Sequence, residues 1–223
     1  MQRTKLCERS LPDYTKGEEL FNMISHIVGG SLGIAALVLC VVRSSIRGDA
    51  YDVVGCAVYG AALVLMYTVS SVYHGINCQM AKQVMRVIDH CMIYFLIGGT
   101  YTPILLSAIR RQEPVTAWVL FGVVWGFAAL ATGLTAIDLK KYSKFSFVCY
   151  IGMGWCIVFA AKSAIRSIDT GGLLLLFLGG VAYTIGAVIY GLGKKHRYMH
   201  SVFHLFVVMG SVLQYFSIFF YVI

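Results

Sequence analysis

Val53–Tyr73 reads VVGCAVYGAALVLMYTVSSVY, twenty-one residues without Asp, Glu, Lys, Arg or His. An α-helix that crosses the hydrocarbon core of a bilayer needs about 20 apolar residues, so this stretch alone is long enough to span one. Six more runs of the same kind flank it: Leu20–Val42, interrupted only by His26, then Cys91–Ile109, Pro114–Ile137, Phe145–Ala161, Thr170–Gly193 and Leu205–Ile223. Only 13% of the 223 residues are charged, about half the share of a soluble domain, and the mean hydropathy is +0.78. The chain is predicted to be an all-α integral membrane protein, a seven-transmembrane helix bundle with almost nothing outside the bilayer.

Residues 1–19 are polar, carry Arg3, Lys5, Arg9 and Lys16, and are expected to form a cytoplasmic N-terminal tail. Residues 20–223 are expected to form one transmembrane domain. No short apolar stretch is followed by a small-residue cleavage site, so the first span is expected to stay as an anchor. Twelve of the eighteen Lys and Arg residues fall in the tail and in the loops on its side of the membrane, and six on the other side. This bias predicts a cytoplasmic N-terminus and an outside C-terminus. Bases beside anionic head groups also account for the net charge of +8 without nucleic acid.

The seven cysteines are scattered, with no pair at zinc-knuckle or redox spacing. Most are expected to act as small apolar residues within helices. Short loops make sequential helices antiparallel neighbours. Gly29-Gly30 with Gly33, and Gly122 with Gly126, have the small-xxx-small spacing that lets helices approach closely. Packing inside the bundle is the expected use of both. Pro103, after GGTYT, is expected to kink or unwind the third helix near its outer end.

The alternating path brings separated polar residues to one depth. The second helix runs inward and ends at His74. The third starts inside with Asp89, and the seventh starts inside with His200 and His204. The last two are at i, i+4 and project from one helical face, so they can share an ion. His74 offers a third nitrogen, and three protein ligands with an open position is the pattern of catalytic zinc. Ser70 is at i−4 from His74, and Tyr67 continues that stripe, as Ser211 continues the stripe of His200 and His204. In the first helix Glu19, Asn22, His26, Gly29 and Gly33 share a face that starts at the same end. Ionisable groups within a membrane are costly and usually face the interior of the bundle with a functional purpose.

Plainer roles exist for several of these residues. His196 sits among Lys194, Lys195 and Arg197 and reads as an interfacial anchor. Asp89 would suit a helix N-cap or first turn, where the macrodipole favours an acid. His90 points about 100° away from Asp89 on a helix and reads as packing or support. His26 is either a pocket residue or part of an interhelical hydrogen bond. Ser70 is either a site residue or bonded back to its own helix.

GEELFNMISHIVG, SSVYHG, VIDHCMIYFLIGGTYTP and YMHSVFHLFVVMGS resemble, in order and over nearly the whole chain, motifs of the hemolysin III family of bacterial membrane proteins. That family is grouped with the progestin and adipoQ receptors and, more widely, with transmembrane metal-dependent hydrolases that include alkaline ceramidases. The resemblance implies a seven-helix fold in the bacterial plasma membrane with Zn2+ near the cytoplasmic side. It implies metal ligands at His74, His200 and His204. It also implies catalytic roles for Asp89, on the zinc water or as an added ligand, and for Ser70. The long soluble N-terminal region of the eukaryotic receptors has no counterpart, which argues against hormone recognition.

Two functions follow as expectations. One is an intramembrane zinc-dependent hydrolase of a lipid amide or ester, its substrate entering from the membrane lipids. The other is a non-enzymatic regulator of membrane state, or a cytolytic protein, with structural zinc. An ion-coupled transporter ranks below both, because the outer halves of the helices offer Thr100, Tyr101 and Thr102 but no acid.

Overall fold

The computed structural model describes residues 9–193 and 196–223. Arg3, Lys5 and Cys7, with Lys194 and Lys195, lie outside the described residues. Seven helices among the described residues are long and apolar enough to cross a membrane. They begin as α1 (Lys16–Arg47), α2 (Ala50–Gly75), α3 (Gln79–Pro103), α4 (Pro114–Ile137), α5 (Ser143–Gly154), α6 (Thr170–Leu192) and α7 (Met199–Ser217).

Local chemistry explains where these helices start. Thr15 and Glu18 form a capping box on α1: the Thr15 hydroxyl accepts from the Glu18 amide at 3.2 Å, and Glu18 accepts from the Thr15 amide at 2.8 Å. Asp49 and Asp52 do the same for α2. Pro114 occupies the first turn of α4, where its missing N–H costs nothing. α1 therefore starts inside the segment expected as a tail.

Two spans are irregular. Past Pro103, α3 continues as a π-helix over Ile104–Ile109 and a last turn at Arg110–Gln112, so the expected distortion takes the form of a widened turn. The fifth span breaks after Gly154 into a 3-10 helix, Cys156–Ala160, before Ala161–Ser167 completes it. The Tyr101 hydroxyl bridges that break, donating to the Gly154 carbonyl and accepting from the Ile157 amide, each at 2.9 Å.

α1 pairs with α2, α2 with α3 and α6 with α7, as short loops require, and α7 closes back onto α1. α3 is the most enclosed span. Leu20, Ile24, Ile27, Ile34 and Val38 of α1 point outward and are about half exposed; patches of that kind need an apolar surrounding such as lipid. The two glycine pairs differ. A Cβ on Gly29 would lie 2.5 Å from the Tyr67 ring, and one on Gly33 would lie 3.3 Å from Leu63, so this face of α1 seats α2. Around Gly122 and Gly126 there is nothing within 4 Å. The expectation of packing inside the bundle is thus corrected for α4, whose glycines face outward.

Candidate metal centre

His74 leaves the last turn of α2, while His200 and His204 leave the first two turns of α7. His200 Nε2 lies 3.3 Å from His74 Nε2 and 3.1 Å from His204 Nε2. One nitrogen from each residue falls within 4.8 Å of the other two. Nitrogens bound at about 2.0–2.1 Å to one tetrahedral ion stand about 3.3 Å apart, so the donor set fits a metal in both type and spacing.

Neighbours hold these rings in place. Glu19 Oε2 accepts from His74 Nδ1 at 2.6 Å, which leaves Nε2 as the free lone pair. The other oxygen of Glu19 is 2.7 Å from Lys82 Nζ. Glu18 is buried one residue earlier and accepts from the Tyr198 amide at 2.7 Å. Tyr198 has φ 61°, a left-handed conformation that a tyrosine adopts only under constraint, and it sets the start of the helix that carries His200. Tyr14 stacks on His200 with ring centroids 5.1 Å apart. Burial, then the nearby Tyr190 and Tyr73 hydroxyls, push the Tyr14 hydroxyl above the ordinary phenol range.

A cavity of about 1250 Å³ starts among Arg9, Lys144 and Arg197 and reaches Thr100, Tyr101 and Gln214. His200, His204, His26, Ser70 and Asp89 stand in its wall. Asp89 lies outside the three-nitrogen group, with its carboxylate 3.7 Å from His90 Nδ1. α3 starts at Gln79, about three turns before Asp89, so the N-cap and first-turn roles do not apply. Ser70 is buried on this wall, while its neighbour Ser71 is the one that bonds back to the helix, at Tyr67 O. His26 is stacked on His204 with centroids 3.6 Å apart. Neither His26 ring nitrogen has a partner among the described residues, so the interhelical hydrogen bond is not formed there, and the residue lines the cavity. His90 Nδ1 is 2.9 Å from the Arg86 carbonyl. The Tyr67 hydroxyl donates to Ser211 at 2.7 Å, which also meets Tyr183 at 2.8 Å.

The positioning roles of Glu18, Glu19, Lys82 and Tyr14 are not read from motif spacing. The signals in the sequence were the place of Glu19 on the polar face of the first helix and the two adjacent acids, Glu18 and Glu19, at the start of an apolar run.

Seven apolar spans and three convergent histidines define a multi-pass membrane protein with a candidate metal centre. The chain belongs to the family described as Haemolysin-III related, whose model matches residues 14–215. It is 35% identical to Hemolysin-3 of Bacillus cereus over 206 residues, 92% of each chain. It is 35% identical to the Hemolysin-3 homolog of Bacillus subtilis (strain 168) over 208 residues, 93% of this chain and 96% of that one. The human monocyte to macrophage differentiation factor is more distant, 26% identical over 193 residues, 83% of this chain and 77% of that one.

Proposed function

We propose that the protein is an intramembrane zinc-dependent hydrolase of a lipid amide or ester. We place it in the bacterial plasma membrane with its N-terminus in the cytoplasm and its C-terminus outside. The observation that carries this reading is three convergent imidazole nitrogens beside a cavity deep enough for an acyl chain. His74, His200 and His204 would hold the ion. Zinc in such a site supplies Lewis acidity, polarising a carbonyl oxygen and acidifying water beside it. The chain's own residues do the rest. Asp89 takes a proton from the attacking water at its carboxylate and returns it to the leaving nitrogen or oxygen as the C–N or C–O bond breaks, releasing the free acid and the amine or alcohol. Ser70 Oγ donates to the carbonyl oxygen as that oxygen gains charge. Glu19 keeps His74 turned toward the site, and the apolar wall takes the acyl chain.

Elemental analysis of purified protein tests the metal. Wild type is expected to carry zinc that the His200→Ala/His204→Ala protein lacks, and equal zinc in the two would refute the site. Cleavage of lipid amides or esters by wild type, lost in Asp89→Ala, tests the chemistry.

The name of the Bacillus cereus relative, Hemolysin-3, favours a second reading: a cytolytic or membrane-regulating protein with structural zinc. Zinc-dependent leakage of liposomes that persists in Asp89→Ala would decide for it.

A further inference from the structure

The bases on the N-terminal side of the bundle are not spread evenly around it. Arg9, Arg86, Lys140, Lys144 and Arg197 all stand in the wall of the cavity, whereas Lys16, Lys82 and Lys141 do not. The five come from four parts of the chain: the segment before α1, the third helix, the junction of α4 with α5 and the segment before α7. Bases that only face bilayer head groups have no reason to collect around one opening.

The acids of the same wall are Asp13, Glu18 and Asp89. Arg197 answers two of them, at 3.5 Å from Asp13 and 3.4 Å from Glu18. Asp89 lies three residues beyond Arg86 in α3, about 5 Å further in. Arg86, Lys140 and Lys144 have no acid at ion-pair distance among the described residues. Arg86 donates to a neutral partner, the Ser10 carbonyl, at 2.7 Å, and both lysines are exposed. Beyond His200 and His204 the wall turns apolar, with Leu96, Ile97, Ile151 and Val207. Charges of one sign around a cleft with low-dielectric walls focus their field into it.

We infer that this basic rim binds a phosphate head group, so that the cavity takes phosphate-bearing acyl lipids in preference to uncharged ones. This rests on the acyl-lipid reading of the cavity and deepens it by naming the substrate class. A phosphate carries up to about two charges and three strong acceptor oxygens, so it can answer several bases at once. Arg86 stands about one turn from Asp89, which puts a phosphate on the rim a few bonds from a carbonyl beside the histidines. A glycerol backbone spans that gap.

The test titrates the full-length protein, in a nonionic detergent, with dodecyl phosphate and with dodecanol. Tryptophan fluorescence reads binding, since Trp155 stands in the wall. Wild type is expected to bind dodecyl phosphate about tenfold more tightly than dodecanol, the worth of a few partly exposed charge pairs. Lys140→Gln/Lys144→Gln should reduce that preference about three- to tenfold, and Lys144→Glu should reduce it as well. Lys16→Gln/Lys141→Gln removes the same charge from the same side of the bundle but outside the cavity, and should leave the preference intact. Equal loss in the two double variants, as would follow if bases merely draw anions to the micelle surface, overturns the inference. So does the absence of a preference in wild type, or a full preference in Lys140→Gln/Lys144→Gln. Inorganic phosphate at equal concentration should not displace dodecyl phosphate; displacement would make the rim a site for free anions and also overturn it. Hydrolysis is read separately. A phosphate preference without cleavage of any lipid keeps the rim and removes the hydrolase; cleavage without preference does the reverse.

Discussion

Glu19→Leu removes the carboxylate that turns His74 toward the other two histidines. The bond it breaks is short, 2.6 Å, and the His74 side chain is fully buried at 0% exposure. Removing such an outer partner of a metal-binding histidine typically costs about 10–100-fold in metal affinity, or about 1.4–2.7 kcal/mol. The upper half of that range is expected here. The histidine loses its only anionic neighbour at hydrogen-bond distance among the described residues, and the Lys82 ammonium, 2.7 Å from the same carboxylate, loses its counter-charge. Glu19→Gln separates the hydrogen bond from the charge. Its amide oxygen still accepts from Nδ1–H, so its loss should stay below about tenfold, nearer the worth of a neutral hydrogen bond. The assay is competition for zinc against a chromophoric chelator in detergent, with circular dichroism to confirm that each variant is folded. A folded Glu19→Leu protein that holds zinc as tightly as wild type would refute the claim that Glu19 positions the site.

Four other substitutions test the packing and the loops. Gly29→Ala places a methyl 2.5 Å from the buried Tyr67 ring and should cost about 1–3 kcal/mol, seen as a lower melting temperature in detergent. Gly122→Ala, which meets nothing within 4 Å, should stay within about 0.5 kcal/mol of wild type; equal effects at the two sites would contradict the assigned faces. Tyr101→Phe strips the Ile157 amide and the Gly154 carbonyl of their partner at the break in the fifth span. It should cost about 1–3 kcal/mol, and an unchanged thermal melt would show that the bridge does not hold the break. The Ser163 hydroxyl, assisted by Thr116 and Arg166, holds the Glu113 carboxyl below its usual range. A carboxyl with a depressed folded pKa adds stability above the unfolded value of about 4.3 and loses it as pH falls further. Glu113→Gln should therefore melt below wild type at neutral pH, with the gap closing below about pH 4; a gap independent of pH would exclude the charge.

The spans were legible because a bilayer imposes a length on every charge-free run. Their ends were less so. α3 begins at Gln79, twelve residues before its apolar run, and carries Lys82, Arg86 and Asp89; hydropathy marks where a helix enters lipid, not where it starts. The i, i+4 spacing exposed His200 and His204, and the alternating topology added His74. Spacing alone misled at Gly122 and Gly126, since it matches Gly29 and Gly33 but does not say which face turns inward. The cavity left no trace in the sequence because it arises from contacts that are not made. α5 touches its neighbours α3, α4 and α6 only sparsely and breaks at Gly154.

What makes three separated histidines into one site is the pair Glu18-Glu19 in the first turn of α1. A carboxylate at the start of an apolar span persists only with partners, and the two acids take theirs from different helices. Glu18 accepts from the Tyr198 amide at 2.7 Å and meets Arg197 at 3.4 Å, fixing the start of α7. Glu19 accepts from His74, fixing the end of α2. Adjacent residues thus clamp the two helices that supply all three nitrogens, and the clamp itself is fastened by the Thr15 cap. The site is therefore organised from α1, which contributes no nitrogen to the cluster. Loosening that first turn should disperse the histidines even though each remains on its own intact helix.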